Sequence, residues 1–232
     1  MTYFERVDLM NYYTPGHKYF RKVAFDFEQL IAKTDFNNTA EREKMHDELN
    51  DFTFYIRETG KFERENCHPL LKDKEPFVVA QVEAGYKVVE EKEDVLRSIL
   101  GPKEGHDKRA RFSQEDIYSI YLATVDLIDT FRQLLSFKDK VLVPVLQKHN
   151  LEKTLRALNL QARSQMSFEQ MKENILERIV PCLNFTDKID VLRDIKEGAS
   201  EPMFEQVWNL ISTEFKPHQR TLIMESLNTE PA

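Results

Sequence analysis

Glycine is the conspicuous shortage: 6 of 232 residues, against an average usage near ~7%. Glycine supplies the positive φ angles of tight turns, bulges and phosphate-binding loops. Its scarcity argues against a turn-rich β sandwich and against a glycine-loop nucleotide fold. Two cysteines, Cys67 and Cys182, cannot build a disulfide framework, so a reduced cytosolic protein is the expectation. No run approaches the ~18 apolar residues of a membrane span, and the opening MTYFERVDLM lacks the basic-then-apolar order of a signal peptide. Basic residues are also outnumbered, 33 Lys and Arg against 40 Asp and Glu, for a formal charge of −7. Nucleic acid and anionic membranes both need a basic footprint, so neither is an expected partner.

What the chain has is helical periodicity. Phe20, Val23, Phe27, Leu30 and Ile31 recur at i, i+3, i+4 and i+7. Pro15 and Gly16 stand at the start of that segment, and Asp35 to Asn38 break it. Asn38 with Glu41 reads as a capping box for a second helix. Its apolar row runs Met45, Leu49, Phe52, Ile56, Thr59, Phe62 and Leu70, ending near Pro69. Pro76 suits the first turn of a third helix with Val79, Val82, Tyr86, Val89, Leu96 and Leu100 on one face. The polar loop Gly101 to Arg111 follows. Ser113 and Asp116 then cap a fourth helix carrying Ile117, Ile120, Leu127, Phe131, Leu134, Val141 and Val145.

Four long amphipathic segments with short connectors predict an all-α, up-down four-helix bundle over residues 1–149. Beyond His149 the pieces are shorter. Ser167 with Gln170, Asn184 or Thr186, Pro202 and Pro217 each open a helix, and Gly198 closes one. They predict a C-terminal helical extension over 150–232 packed on the bundle, since each is too short to be stable alone.

Polar residues on the apolar stripes are the candidates for chemistry, because a buried unpaired charge is costly. His17 precedes Phe20 by three residues, Glu63 continues the row of Ile56 and Thr59, Glu90 follows Tyr86 by one turn, and Asp139 lies between Leu135 and Leu142. Counting along antiparallel helices sets Glu63, Tyr86 and Asp139 within about two turns of one another, with His17 at the same end of the bundle. One imidazole and several carboxylates at one level are the donor set of a bundle metal site. The plainer alternative is a hydrogen-bonded structural histidine, with Glu63 paired to Arg21 or Arg57 and Glu90 at the solvent edge.

Several segments, in order, resemble the bacterial hemerythrin-like, or HHE cation-binding, proteins. ERVDLMNYYTPGHKYFRKVAFDFEQLIAKTDF is similar to their opening, FERENCHPLL to the end of their second helix, and DKVLVPVLQKH to the close of their fourth. RIVPCLNFTDKIDVLRDIKEGASEPMFEQVWNLI is similar to a helical extension that some members carry. Members with an intact site hold two irons with five histidines and two bridging carboxylates. The resemblance matches His17 to the first-helix ligand. In the second helix the His–Glu pair becomes Thr59 and Glu63, and in the third the His–His pair becomes Tyr86 and Glu90. The last pair becomes Leu134 and Asp139. Four of the five histidines are therefore missing at the lost-ligand positions Thr59, Tyr86, Leu134 and, by substitution with a carboxylate, Glu90.

The resemblance then implies a protein that does not carry dioxygen. His17, Glu63, Glu90 and Asp139, with Tyr86 as a phenolate, could hold no metal or a single Fe- or Mn-type cation. Arg21 or a lysine such as Lys61 could instead supply the positive charge. Three functions stay open: sensing, scaffolding or partner binding around a degenerate centre; redox or oxygen-related activity at an altered metal site; and small-ligand binding in a pocket between helices. A cytoplasmic protein is expected, and whether it is an enzyme is not decided by these residues. Cys67 beside His68 is not a nucleophile–base pair, since neighbours on a helix point about 100° apart. The basic cluster Lys103, Lys108, Arg109 and Arg111 is broken by Glu104 and Asp107 and reads as a solvated loop.

Overall fold

A computed structural model describes residues 7–101 and 111–228, and all regular structure in them is helical. The loop expected over Gly101 to Arg111, with most of its basic cluster, falls outside the described residues apart from its two ends. No described helix is long and apolar enough to cross a membrane.

The helices in chain order are α1 (Val7–Lys33), α2 (Thr39–Phe62), α3 (His68–Leu71), α4 (Pro76–Leu100), α5 (Gln114–Phe137) and α6 (Val143–Lys148). They continue as α7 (Glu152–Ser164), α8 (Phe168–Met171), α9 (Phe185–Gly198), α10 (Glu201–Ile211) and α11 (Pro217–Asn228). Two π-helical turns join what would otherwise be continuous α-helices: Glu63–Cys67 between α2 and α3, and Lys138–Leu142 between α5 and α6. A third, Lys172–Leu176, follows α8.

Local sequence chemistry accounts for the boundaries. The Asn38 side chain accepts from the Ala40 amide at 3.0 Å, and Glu41 reaches back to the Asp35 amide at 2.7 Å. Ser113 with Asp116 and Ser167 with Gln170 form reciprocal capping boxes, and Asn184 caps α9. Pro76, Pro202 and Pro217 lie in first turns, where the missing N–H has no helical partner to lose. Pro15 departs from expectation. It lies inside α1, which already begins at Val7. An interior proline forfeits one hydrogen bond, and here Tyr13, Pro15, His17 and Phe20 are all buried in that stretch.

The chain divides into two compact units, residues 21–148 and residues 1–20 with 149–232. Helix α1 contributes to both. In the first unit, the Phe27 and Phe52 rings stack at 5.5 Å, and Phe131 meets Phe52 edge-on at 5.6 Å, so α1, α2 and α5 converge on one aromatic centre. Residues pair in opposite sequence order between neighbours: Glu28 with Arg132 and Arg21 with Asp139 between α1 and the α5 end, Asn50 with Arg97 and Glu63 with Tyr86 between α2 and α4. The α4–α5 pair does the same through Lys92 with Asp126 and Tyr86 with Lys138.

The second unit has a core of its own. Met171, Ile175, Leu176, Val191, Leu192, Ile195, Phe204, Val207, Ile211, Phe215, Ile223 and Leu227 are buried together. The Lys18 ammonium pairs with Asp187, tying the start of α1 to α9 within this unit.

Candidate functional site

Three buried polar side chains meet between α2, α4 and the end of α5. Lys138 Nζ lies 2.6 Å from Glu63 Oε1, and the two side chains are 1% and 2% exposed. The Tyr86 hydroxyl donates to the other Glu63 oxygen, Oε2, at 3.0 Å. The Lys138 ammonium in turn donates to the Tyr86 hydroxyl oxygen at 3.1 Å. The three groups close a triangle.

The triangle rests on backbone geometry as much as on side chains. Glu63 and Lys138 each open one of the two π turns. Such turns lodge an extra residue in a helix and re-aim the side chains around it. Gly60 supplies the space for Tyr86: a Cβ there would meet the ring at 3.0 Å, closer than side chains normally tolerate. The Arg64 guanidinium stands 5.7 Å from the centroid of the same ring, and Lys138 Nζ 5.3 Å from it.

The electrostatics follow from burial. Desolvation, then the Glu63 charge and the hydrogen bond to Glu63, hold the Tyr86 phenol well above its ordinary pKa. It stays protonated and donates. Glu63 in turn has an ammonium on one oxygen and a phenol on the other. The ammonium already offsets the carboxylate charge that would draw a cation, and it would repel one. The residues present at Glu63 therefore do not fit a metal ion. Among the described residues no group of three His, Cys, Asp or Glu side chains is placed to hold one.

The other expected positions lie elsewhere. Glu90 is exposed, and the interior acid of α4 is Glu93, one turn after Val89 and one before Leu96. Counting four residues from Tyr86 selects Glu90, whereas the buried face of the helix selects the seventh. Glu93 pairs with Arg57 and accepts from Arg97 Nε at 2.6 Å. Arg97 continues to Asn50 Oδ1 at 2.8 Å and Thr53 Oγ1 at 3.0 Å on α2. Asp139 is likewise not interior. It is exposed and bonded to Arg21 at 2.8 Å, so Arg21 serves Asp139 and not Glu63.

Lys138 holds the inward position that Asp139 was expected to take, four residues after Leu134 and four before Leu142. That spacing was visible in the sequence. Beyond the π turn the core row also slips by one: Leu142, Val143 and Leu146 are buried, while Val141 and Val145 are half-buried. Leu134 is buried under Gly85, and Thr59 is half-buried.

His17 lies on the part of α1 that belongs to the other unit, buried with its ring 5.3 Å from that of Tyr13. His68 is buried in the first unit, its Nδ1 3.1 Å from Glu83 Oε1. Cys67 is a buried thiol outside any disulfide, and the Cys182 thiol donates to the Arg178 carbonyl at 3.2 Å. The structure thus brings Glu63 and Tyr86 together, adds Lys138, and leaves Glu90 and Asp139 at the surface. Set against known proteins, the chain matches no family model, no curated protein and no solved structure.

Proposed function

We propose that this chain is a hemerythrin-like protein of up-down four-helix architecture whose metal centre has been replaced by an internal ion pair, and that it acts by binding a protein partner. Support comes from one placement above all: the Lys138 ammonium 2.6 Å from Glu63, at the carboxylate that the resemblance makes a bridging ligand. A positive side chain there does the electrostatic work of a cation and removes the reason to bind one. The opposed pairings of α1 with α5, α2 with α4 and α4 with α5 support the up-down arrangement. With the polar centre closed to solvent, no group in it can reach a substrate from outside. Partner binding is the role that such a scaffold retains.

Elemental analysis tests the proposal. The protein is expressed without a metal-affinity tag in medium supplemented with iron and manganese. The expected result is far less than one metal per chain. Near-stoichiometric iron or manganese that disappears in Glu63→Ala would overturn it and support a redox-active metal protein instead.

A further inference from the structure

Helices α4 and α5 each have a second apolar stripe, on the side away from the core. On α4 it comprises Phe77, Ala84, Val88 and Val95, at spacings of 7, 4 and 7 residues. At about 100° per residue those spacings keep all four within about 40° of one another. All four are exposed, Phe77 at 73%. On α5, Tyr118 and Leu122 are exposed, with Tyr121 beside them and half-buried Val125 one turn on. The core faces, Val82, Val89 and Leu96 on α4 and Ile120, Leu127 and Phe131 on α5, point the other way.

The two stripes come side by side at the end of the helix pair nearer Leu100 and Gln114, while Phe77, Ala84 and Val88 continue along α4 alone. Lys92 Nζ and Asp126 Oδ2, 2.6 Å apart, join the helices along their outer seam. One turn further toward the loop, the same antiparallel register levels Val95 with Leu122. Scattered single apolar residues on a surface need no explanation, but Val95, Tyr118, Tyr121 and Leu122, exposed together on two neighbouring helices and rimmed by charge, mark an interaction site. Two roughly antiparallel helices with an apolar strip between them present a groove of the kind that receives a third helix.

The charge around the patch selects the occupant. Glu91, Asp94, Glu115, Asp126 and Asp129 surround it, against Lys87 and Lys92. Three of these acids are paired within the chain, Asp126 with Lys92 at 2.6 Å, Glu91 with Lys87 at 3.8 Å and Asp129 with Arg132 at 3.6 Å, while Arg132 also bonds Glu28 of α1. Asp94 and Glu115 give the rim its net negative charge. A second copy of this chain docked through the same face would set this net acidic rim, with Asp94 and Glu115, against an identical one. Anionic lipid and nucleic acid meet the same repulsion. A basic helix meets attraction instead, both in the approach and in the rim contacts.

We propose that the outward face of α4 and α5 is a docking groove for an amphipathic helix of another protein, one with an apolar stripe flanked by lysine or arginine. This deepens the partner-binding role proposed above. Its failure would leave the metal content at Glu63, the test of the ion-paired centre, untouched.

Fluorescence anisotropy of the full chain with a labelled synthetic helix tests the groove. The probe is a peptide of roughly 18 residues, five turns, with leucine at i, i+3, i+4 and i+7 and lysine on the opposite face. A leucine–glutamate analogue and a scrambled leucine–lysine peptide serve as comparators. The expected result is micromolar binding of the leucine–lysine helix alone, weakened several-fold by raising salt from about 50 to about 300 mM. The double variant Val95→Ser/Leu122→Ser should weaken binding at least about tenfold, and so should Asp94→Lys/Glu115→Lys. All four residues are exposed, so the melting temperature of both variants should stay within a few degrees of the unsubstituted chain, which separates lost docking from lost folding.

Unchanged binding in the serine variant, equal binding of either comparator, or no binding below about 100 µM would each overturn the proposal. So would a dimer in light scattering that Leu122→Ser dissolves, because it would assign the face to a second copy.

Discussion

Lys138 Nζ and Glu63 Oε1 stand 2.6 Å apart in the interior, each residue at the head of its own π turn. Each side chain continues the inward row of the helix before it, Glu63 four residues after Thr59 and Lys138 four after Leu134, and the extra residue of each π turn comes after it. A buried ion pair adds little over an apolar pair of the same volume, because desolvating both ions offsets most of their attraction. Removing one partner is a different matter, since it strands the other charge.

The Lys138→Met variant should therefore lose about 3–5 kcal/mol in urea unfolding. Adding Glu63→Leu to it should recover most of that loss, leaving the double variant near the stability of the unsubstituted chain. Additive losses in the double-variant cycle would show that the two groups do not act as a pair.

Tyr86→Phe should cost about 1–2 kcal/mol at neutral pH, through the hydrogen bonds that it removes. Its alkaline behaviour is the sharper test. The phenol is held above its ordinary pKa by burial and by the adjacent Glu63 carboxylate. A raised pKa in the fold means that the fold favours the protonated form. That contribution is whole below the unfolded value near ~10 and is lost as pH rises through the higher folded value. Melting temperature should fall more steeply above pH ~10 in the unsubstituted chain than in Tyr86→Phe.

Gly60→Ala would ordinarily stabilise a helix interior by about 1 kcal/mol. Here the new Cβ meets the Tyr86 ring at 3.0 Å, and that ring is bonded to both Glu63 and Lys138. The substitution should destabilise the chain. In a Tyr86→Ala background the ring is gone, and the same substitution should become stabilising. Thermal unfolding of the four variants reads the reversal of sign.

Glu93→Gln should cost about 1.5–3 kcal/mol, because Glu93 is buried and accepts charged hydrogen bonds from two arginines. Arg57→Ala should cost less, about 0–1 kcal/mol, since the Arg57 side chain is half exposed and its charge is screened by water. Equal losses would place the energy in the arginine instead of the buried carboxylate.

Much of the helical framework was legible before any coordinates. Asn38, Ser113, Ser167 and Asn184 cap the helices that their spacing announces, because a cap is a contact between residues two or three apart. The rows Met45, Leu49, Phe52, Ile56 and Val82, Tyr86, Val89, Leu96 are buried as their periodicity requires. Pro15 marks no helix start: α1 runs through it, with Tyr13, His17 and Phe20 buried on either side. The polar interior was only half legible. Tyr86 and Glu63 lie on their stripes and inside, but Glu90 and Asp139 sit one step off the buried face, and Glu93 and Lys138 take their places.

By itself the sequence determined that this is a helical protein, where its helices begin, and that carboxylates interrupt its apolar stripes. Those properties depend on neighbours within a turn or two along the chain. What answers each charge in the interior was decided only by tertiary structure. Lys138 keeps the spacing of Leu134 along its own helix, but its partner Glu63 lies on a different helix, so no local pattern pairs them. The acidic apolar face of α4 and α5 has the same origin: each stripe can be counted along its own helix, but only packing lays the two side by side.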